Sequence, residues 1–306
     1  MRKVIAVDGI FLKSRYGGVL LSAIAQDAEN HIFPVAFCIV DSECDASYKY
    51  FFEKMRSFVL DTPELCIISN RHPSIGKMVS VVFPSAHYGY CMRYNIMMIN
   101  ITELINAVLL DERKFPITAL FDVINKQFAE IFHERRMIFL DIGTKFVPSM
   151  EAIIAENTEL GNKLLVHQIA NYRYVVTGHE AIAIVDLKSK SCSFRVFDVD
   201  KIPCPHAMAV LRCQYGEDYG RRIYEYSCLY YTVDTYIMAY VEEIKPVPSE
   251  DSWQVPIEIL ERKISPPFVE PSKQNAAIAM QYSTTNVLAM KNSATNVLAV
   301  KIQHLM

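Results

Sequence analysis

The sequence predicts an α/β domain at its N-terminus, then a helical stretch, then a small module of mixed α and β structure. Three observations carry this. Apolar, β-branched runs joined by short turns fill residues 3–40. The hydrophobic period then changes from two to nearly four, the signature of a helix laid against strands. A second alternating stretch, residues 164–187, precedes closely spaced cysteines and a histidine.

Lys3–Leu12 and Gly18–Asp27 read as two strands around the turn Lys-Ser-Arg-Tyr-Gly, and His31–Val40 as a third. Short links between three strands imply an antiparallel meander. From Ala46 to Leu60, Tyr50, Phe51, Met55, Phe58 and Val59 fall on one helical face. Leu65–Ser69 is a short buried strand. Pro73–Phe83 is a helix with Ile75, Met78, Val79 and Val82 inward, and Ala86–Cys91 is one more strand. The order β-β-β-α-β-α-β is the ribonuclease-H-like pattern, a mixed sheet in which a meander feeds a parallel half.

Residues 100–141 read as helical, with Leu104, Ile105, Val108 and Leu109 at helix spacing, and Pro116 restarts a helix from Ile117. Tyr172–Thr177 and Ala181–Asp186 form a hairpin around Gly178. The resulting division is a core at 1–93, a helical remainder at 94–141, a small module at 164–213, an extension at 214–268 and an unstructured tail at 269–306. That tail repeats itself: Tyr282-Ser-Thr-Thr-Asn-Val-Leu-Ala-Met-Lys291, then Asn292-Ser-Ala-Thr-Asn-Val-Leu-Ala-Val-Lys301. Two copies are too few for a solenoid.

With 51% hydrophobic and 21% charged residues, the 306-residue chain is no disordered polyanion, collagen or coiled coil. No apolar run approaches the length of a membrane span. The start, Met-Arg-Lys-Val-Ile-Ala-Val-Asp, predicts no secretory signal. Eight unevenly spaced cysteines fit a reducing compartment better than a disulfide scaffold. Residues 1–150 hold 16 Lys+Arg against 16 Asp+Glu, so no basic footprint for nucleic acid appears there.

Asp8 interrupts an otherwise apolar first strand, where a carboxylate is costly to bury without a cation or donors. On a ribonuclease-H-like sheet, such an acid points to a site for two divalent ions that activate a nucleophile and stabilise a leaving phosphodiester oxygen. Taken alone it also reads as a turn-facing acid. The partner position, at the end of the fourth strand in Ser69-Asn-Arg-His-Pro73, holds Asn70. An amide oxygen can ligate a metal but brings no negative charge.

Asp8-Gly-Ile-Phe-Leu-Lys, Phe33-Pro-Val-Ala-Phe, Ser69-Asn-Arg-His-Pro-Ser-Ile75 and His87-Tyr-Gly-Tyr-Cys91-Met-Arg together resemble plant Mutator-like (MULE) transposases. Domesticated relatives of these include far-red-impaired-response-type proteins. The resemblance covers roughly residues 1–265. It implies a DDE-class, metal-dependent DNA strand cleavage and transfer, with Mg²⁺ as the ancestral ion, and nuclear action. Asp8 matches the first catalytic acid, Asn70 stands where the family has Asp, and Glu103 in Asn100-Ile-Thr-Glu-Leu-Ile-Asn106 is similar to the third acid. Tyr94 replaces the histidine of a Cys-x-x-His pair begun by Cys91. The interval from Asn70 to Glu103 lacks the family's long insertion. These departures imply a catalytically silent descendant that has lost Mg²⁺. The alternatives are an active transposase and a dimerising inhibitor of intact relatives, so the partners expected are DNA and transposase-like chains, with no membrane.

Cys192-Ser-Phe194 and Cys204-Pro-His206 resemble a SWIM zinc finger, whose pattern is Cys-x-Cys, a spacer, then Cys-x-His. Tetrahedral zinc takes four N/S ligands. Phe194 stands at the second, leaving Cys192, Cys204 and His206, with Cys213 or Asp198 as substitutes for the missing donor. Two readings stand: zinc held by three ligands and a substitute, or a dry remnant packed around Phe194. Residues 151–250 carry 10 Lys+Arg and 14 Asp+Glu, so any attraction to phosphate is local. His87, His133, His167 and His179 lack ligand spacing. Glu134-Arg135-Arg136 reads as a solvated helix face, and the tyrosines from 219 to 240 read as packing.

Overall fold

The first three strands are β1 (Val4–Phe11), β2 (Val19–Gln26) and β3 (Ile32–Val40), an antiparallel meander in a computed structural model of the chain. The structure describes residues 4–14, 17–69, 72–90, 112–139, 143–178, 181–244 and 297–299. It divides into two compact units, Met1–Leu140 with Ile237–Met306, and Asp141–Tyr236.

Turn chemistry sets the meander. Gly17 and Gly18 take φ values of 60° and 100° between β1 and β2. A Cβ on Gly18 would lie 2.9 Å from the Val40 carbonyl oxygen, so the close approach excludes any side chain. Between β2 and β3, Asp27 Oδ1 accepts the backbone N–H groups of Glu29 and His31 at 2.9 and 2.8 Å. Asn30 takes the left-handed conformation beside it.

Helix α1 (Asp45–Arg56) leads to β4 (Cys66–Ser69), and α2 (Pro73–Val82) to β5 (His87–Tyr90). Both strands run parallel to β1, giving the order β3-β2-β1-β4-β5. This is an α/β unit with a mixed sheet. Val297–Ala299 pairs antiparallel with Cys38, Phe37 and Ala36 as a sixth strand beside β3. The rest of the tail, including the first copy of its repeat, lies outside the described residues, as do residues 100–111 of the expected helical stretch.

The following helix, α3 (Ile117–Ile138), buries Ile117, Leu120, Phe121, Ile124 and Phe128. These recur at helical spacing and meet Ala6, Ile10, Leu20, Ile24, Phe37, Ile39 and Ile68 of the sheet. Each such side chain contributes about 1.5–3 kcal/mol of apolar burial. The intervening strand residues Ile5, Val7, Leu21, Ala23 and Val35 are buried too, so both faces are covered. Arg135 is not on a solvated face as the sequence suggests. Its guanidinium lies 3.8 Å from the buried Asp27 carboxylate and donates to the Ile32 carbonyl and the Tyr240 hydroxyl. Asp27 also accepts the Tyr240 hydroxyl at 2.7 Å.

In the other unit, α4 (Pro148–Gly161) precedes four antiparallel strands in sequential order: β6 (Leu165–Ala170), β7 (Arg173–Gly178), β8 (Ala181–Asp186) and β9 (Ser191–Cys192). The expected hairpin is thus the middle of a four-stranded sheet. Then come α5 (Val196–Asp200), α6 (Pro205–Tyr215) and α7 (Tyr219–Tyr226), and α8 (Val233–Ala239) begins in this unit and ends in the first. Gly161 lets α4 approach α6 closely: a Cβ there would lie 2.7 Å from the Pro205 oxygen. The tyrosines from 219 to 240 are all buried or half-buried, which is packing. Among the described residues, no helix is long and apolar enough to cross a membrane.

Candidate metal centre

The hairpin that ends in Cys192 is made by Asp186. Its Oδ1 accepts the backbone N–H groups of Lys188 and Ser189 at 2.9 and 3.1 Å. Lys190, left-handed at φ 51°, turns the chain into β9, where Cys192 pairs with Val185. Two more left-handed residues, Arg195 and Lys201, bracket the single turn of α5, anchored by the fully buried Phe197. Cys204 then caps α6, with Pro205 at its first position, a favoured start. His206 follows on the first turn.

This path brings Cys192, Cys204 and His206 together, with their ligand atoms all within 4.8 Å of one another. Cys192 Sγ lies 3.8 Å from His206 Nδ1. Ligands on tetrahedral zinc, at about 2.3 Å for sulfur and 2.0–2.1 Å for nitrogen, stand about 3.6 Å apart for a sulfur–nitrogen pair. The Cys192–His206 separation fits that ion, and the Cys204 sulfur lies within 4.8 Å of both. Both sulfurs are buried, whereas His206 is half-buried. The Cys204 thiol donates to Cys192, and His206 lies beside it, so the Cys192 thiol is held well below its ordinary range. The same hydrogen bond, with burial, drives Cys204 upward. The pair is poised to lose its first proton readily, as a metal ligand must.

The two suggested substitutes do not join. The Asp198 carboxylate accepts the Cys192 N–H at 2.9 Å, and Cys213 is exposed further along α6. Among the described residues no fourth His, Cys, Asp or Glu completes the group. Phe194, at the missing ligand position, stacks on the His206 ring with centroids 5.0 Å apart and planes 15° from parallel.

Asp8, by strand alternation, stands in the row of Ala6 and Ile10 and is buried. Burial pushes its pKa up to about 6; the Gly9 N–H, donated at 2.9 Å, opposes the rise and the charge of Glu43 adds to it. Glu43, which no spacing or motif singles out, follows β3 and accepts the Tyr48 hydroxyl at 2.5 Å. A Cβ on Gly9 would strike the Glu43 carboxylate, so the glycine makes room for a second acid beside the first. That Asp8-Gly9 pair was the signal available in the sequence. Asn70, Cys91, Tyr94, Glu103 and His179 lie outside the described residues.

Comparison with known families places these two sites in named domains. Residues 4–98 match the MULE transposase domain, and residues 174–215 match the SWIM zinc finger. No curated protein matches the chain.

Proposed function

We propose that this transposase-derived chain, which carries a MULE transposase domain and a SWIM zinc finger, no longer cuts DNA and acts as a zinc-containing DNA-binding protein. One observation carries the reading: Cys192, Cys204 and His206 converge to within 4.8 Å inside the SWIM match. Zinc held there would tie the end of β9 to the first turn of α6 as a structural cross-link. Cys192 and Cys204 would hold it as thiolates, the two thiol protons passing to solvent, and His206 through the lone pair of a ring nitrogen.

In this reading the N-terminal unit is a ribonuclease-H-like core. Its support is the order β3-β2-β1-β4-β5, a meander feeding a parallel half. Catalytic silence rests on the sequence: an amide at Asn70 removes one anionic ligand, and two divalent ions need several. The shortened interval to Glu103 further separates the chain from a working active site. DNA contact falls to exposed cations on the loops around the centre, Lys188, Arg195 and Lys201. Nuclear action follows from such a partner.

The test measures anisotropy of a labelled duplex with zinc-loaded and chelator-stripped chain, alongside a strand-cleavage assay in Mg²⁺ or Mn²⁺. Binding that disappears on stripping, with no cleavage, is the expected result. Cleavage by the unaltered chain would restore the transposase reading, and binding indifferent to zinc would remove the finger from the interface.

A further inference from the structure

We propose that the centre formed by Cys192, Cys204 and His206 keeps its fourth coordination position for a thiolate supplied from outside the chain. The inference rests on the zinc reading above and concerns what completes it. Tetrahedral zinc takes four donors, and structural sites take all four from protein. Among the described residues three converge, and neither substitute that the sequence offers joins them: the Asp198 carboxylate accepts the Cys192 N–H, and Cys213 is exposed on α6.

Phe194 decides between a closed remnant and an open site. Its ring lies nearly parallel to that of His206, so it covers the imidazole face. The lone pair of a ring nitrogen lies in the ring plane, at the edge, where a parallel neighbour does not reach. Phe194 is also 48% exposed and His206 half-buried, whereas Cys192 and Cys204 are buried, so the histidine side of the centre is the one nearest solvent. Two cysteines and one histidine with an outside fourth ligand are the donor set of open rather than closed zinc sites.

The chemistry selects a soft donor. Phe194 beside His206 is an apolar neighbour that packs against an alkyl thiolate better than against a strongly hydrated oxyanion. A thiolate is weakly hydrated and suits the ion. Bound there, the thiol would give its proton to solvent and complete a set of three sulfurs with one histidine, a common closed structural set. That thiolate comes from a small thiol or from an exposed cysteine of a second copy, such as Cys213 or Cys228.

The full chain is loaded with one Co²⁺ and titrated with 2-mercaptoethanol while the sulfur-to-cobalt charge-transfer band is followed. The proposal expects a saturable rise of about one half, as two coordinated sulfurs become three. A Phe194→Cys variant starts at the higher absorbance and ignores the thiol. Without added thiol, a band that grows with protein concentration assigns the donor to a second copy; a constant band that responds to thiol assigns it to the small molecule. One bound Co²⁺ whose spectrum the thiol leaves unmoved, at any protein concentration, overturns the open position. Failure to bind Co²⁺ or Zn²⁺ at all overturns the zinc reading beneath it. The wild-type titration stands even if the variant does not fold.

Discussion

Replacing Asp8 by Asn stabilises the chain above pH 6 in chelator-treated buffer, because the wild-type carboxyl must ionise where it is buried. Burial, with Glu43 nearby, raises the group from 3.8 to about 6, despite the Gly9 N–H. The folded chain therefore holds this proton more tightly than the unfolded chain. Stability falls as pH rises from about 4 through 6, and the whole loss is present above that. The difference between 3.8 and about 6 corresponds to about 3 kcal/mol. An amide keeps an acceptor for the Gly9 N–H and carries no charge to desolvate. Urea unfolding followed by circular dichroism at pH 7.5 should show the variant's midpoint higher by roughly 1–3 M, with the gap closing towards pH 4. Equal midpoints at pH 7.5 would show that the carboxylate is satisfied by its surroundings, and the burial argument would fail.

Asp27→Ala removes the acceptor for two turn N–H groups and the Tyr240 hydroxyl, and strands Arg135. A loss of about 3–5 kcal/mol in denaturant unfolding is expected. Leu120→Ala, on the α3 face that meets the sheet, should cost about 2–5 kcal/mol in the same assay through the cavity it leaves. Lys188→Glu with Arg195→Glu should weaken duplex binding across unrelated sequences and lower the salt slope by about 1 for each phosphate no longer neutralised. An unchanged slope would move the DNA interface away from the finger.

Much of the N-terminal unit was legible because its patterns are strong. Apolar runs of period two, short turns and the shift in period at Ala46 give the order of strands and helices directly. The β6 strand was harder: it falls inside the alternating stretch 164–187 but was not set apart from the hairpin, since its side chains are almost all exposed. Helix α4 carries a proline start and a glycine end, yet few of its residues are buried, which blurs its apolar stripe. Arg135 was misjudged because its neighbour Glu134 is exposed, while its own partner, Asp27, lies more than a hundred positions away. At the candidate centre, spacing singled out the three residues that the fold brings together, since strand-end and helix-start positions are local. The stacking of Phe194 on His206 and the capping of Cys192 by Asp198 depend on how the loop closes, and spacing does not report that. Glu43 went unseen for the same reason: only the folded sheet brings it towards Asp8.

The most direct test is the metal content of the purified, monodisperse chain beside a Cys204→Ser variant. About one zinc per chain, lost in the variant while circular dichroism confirms that it remains folded, is the predicted result. A folded wild-type chain that holds no zinc after dialysis against micromolar Zn²⁺ would contradict it.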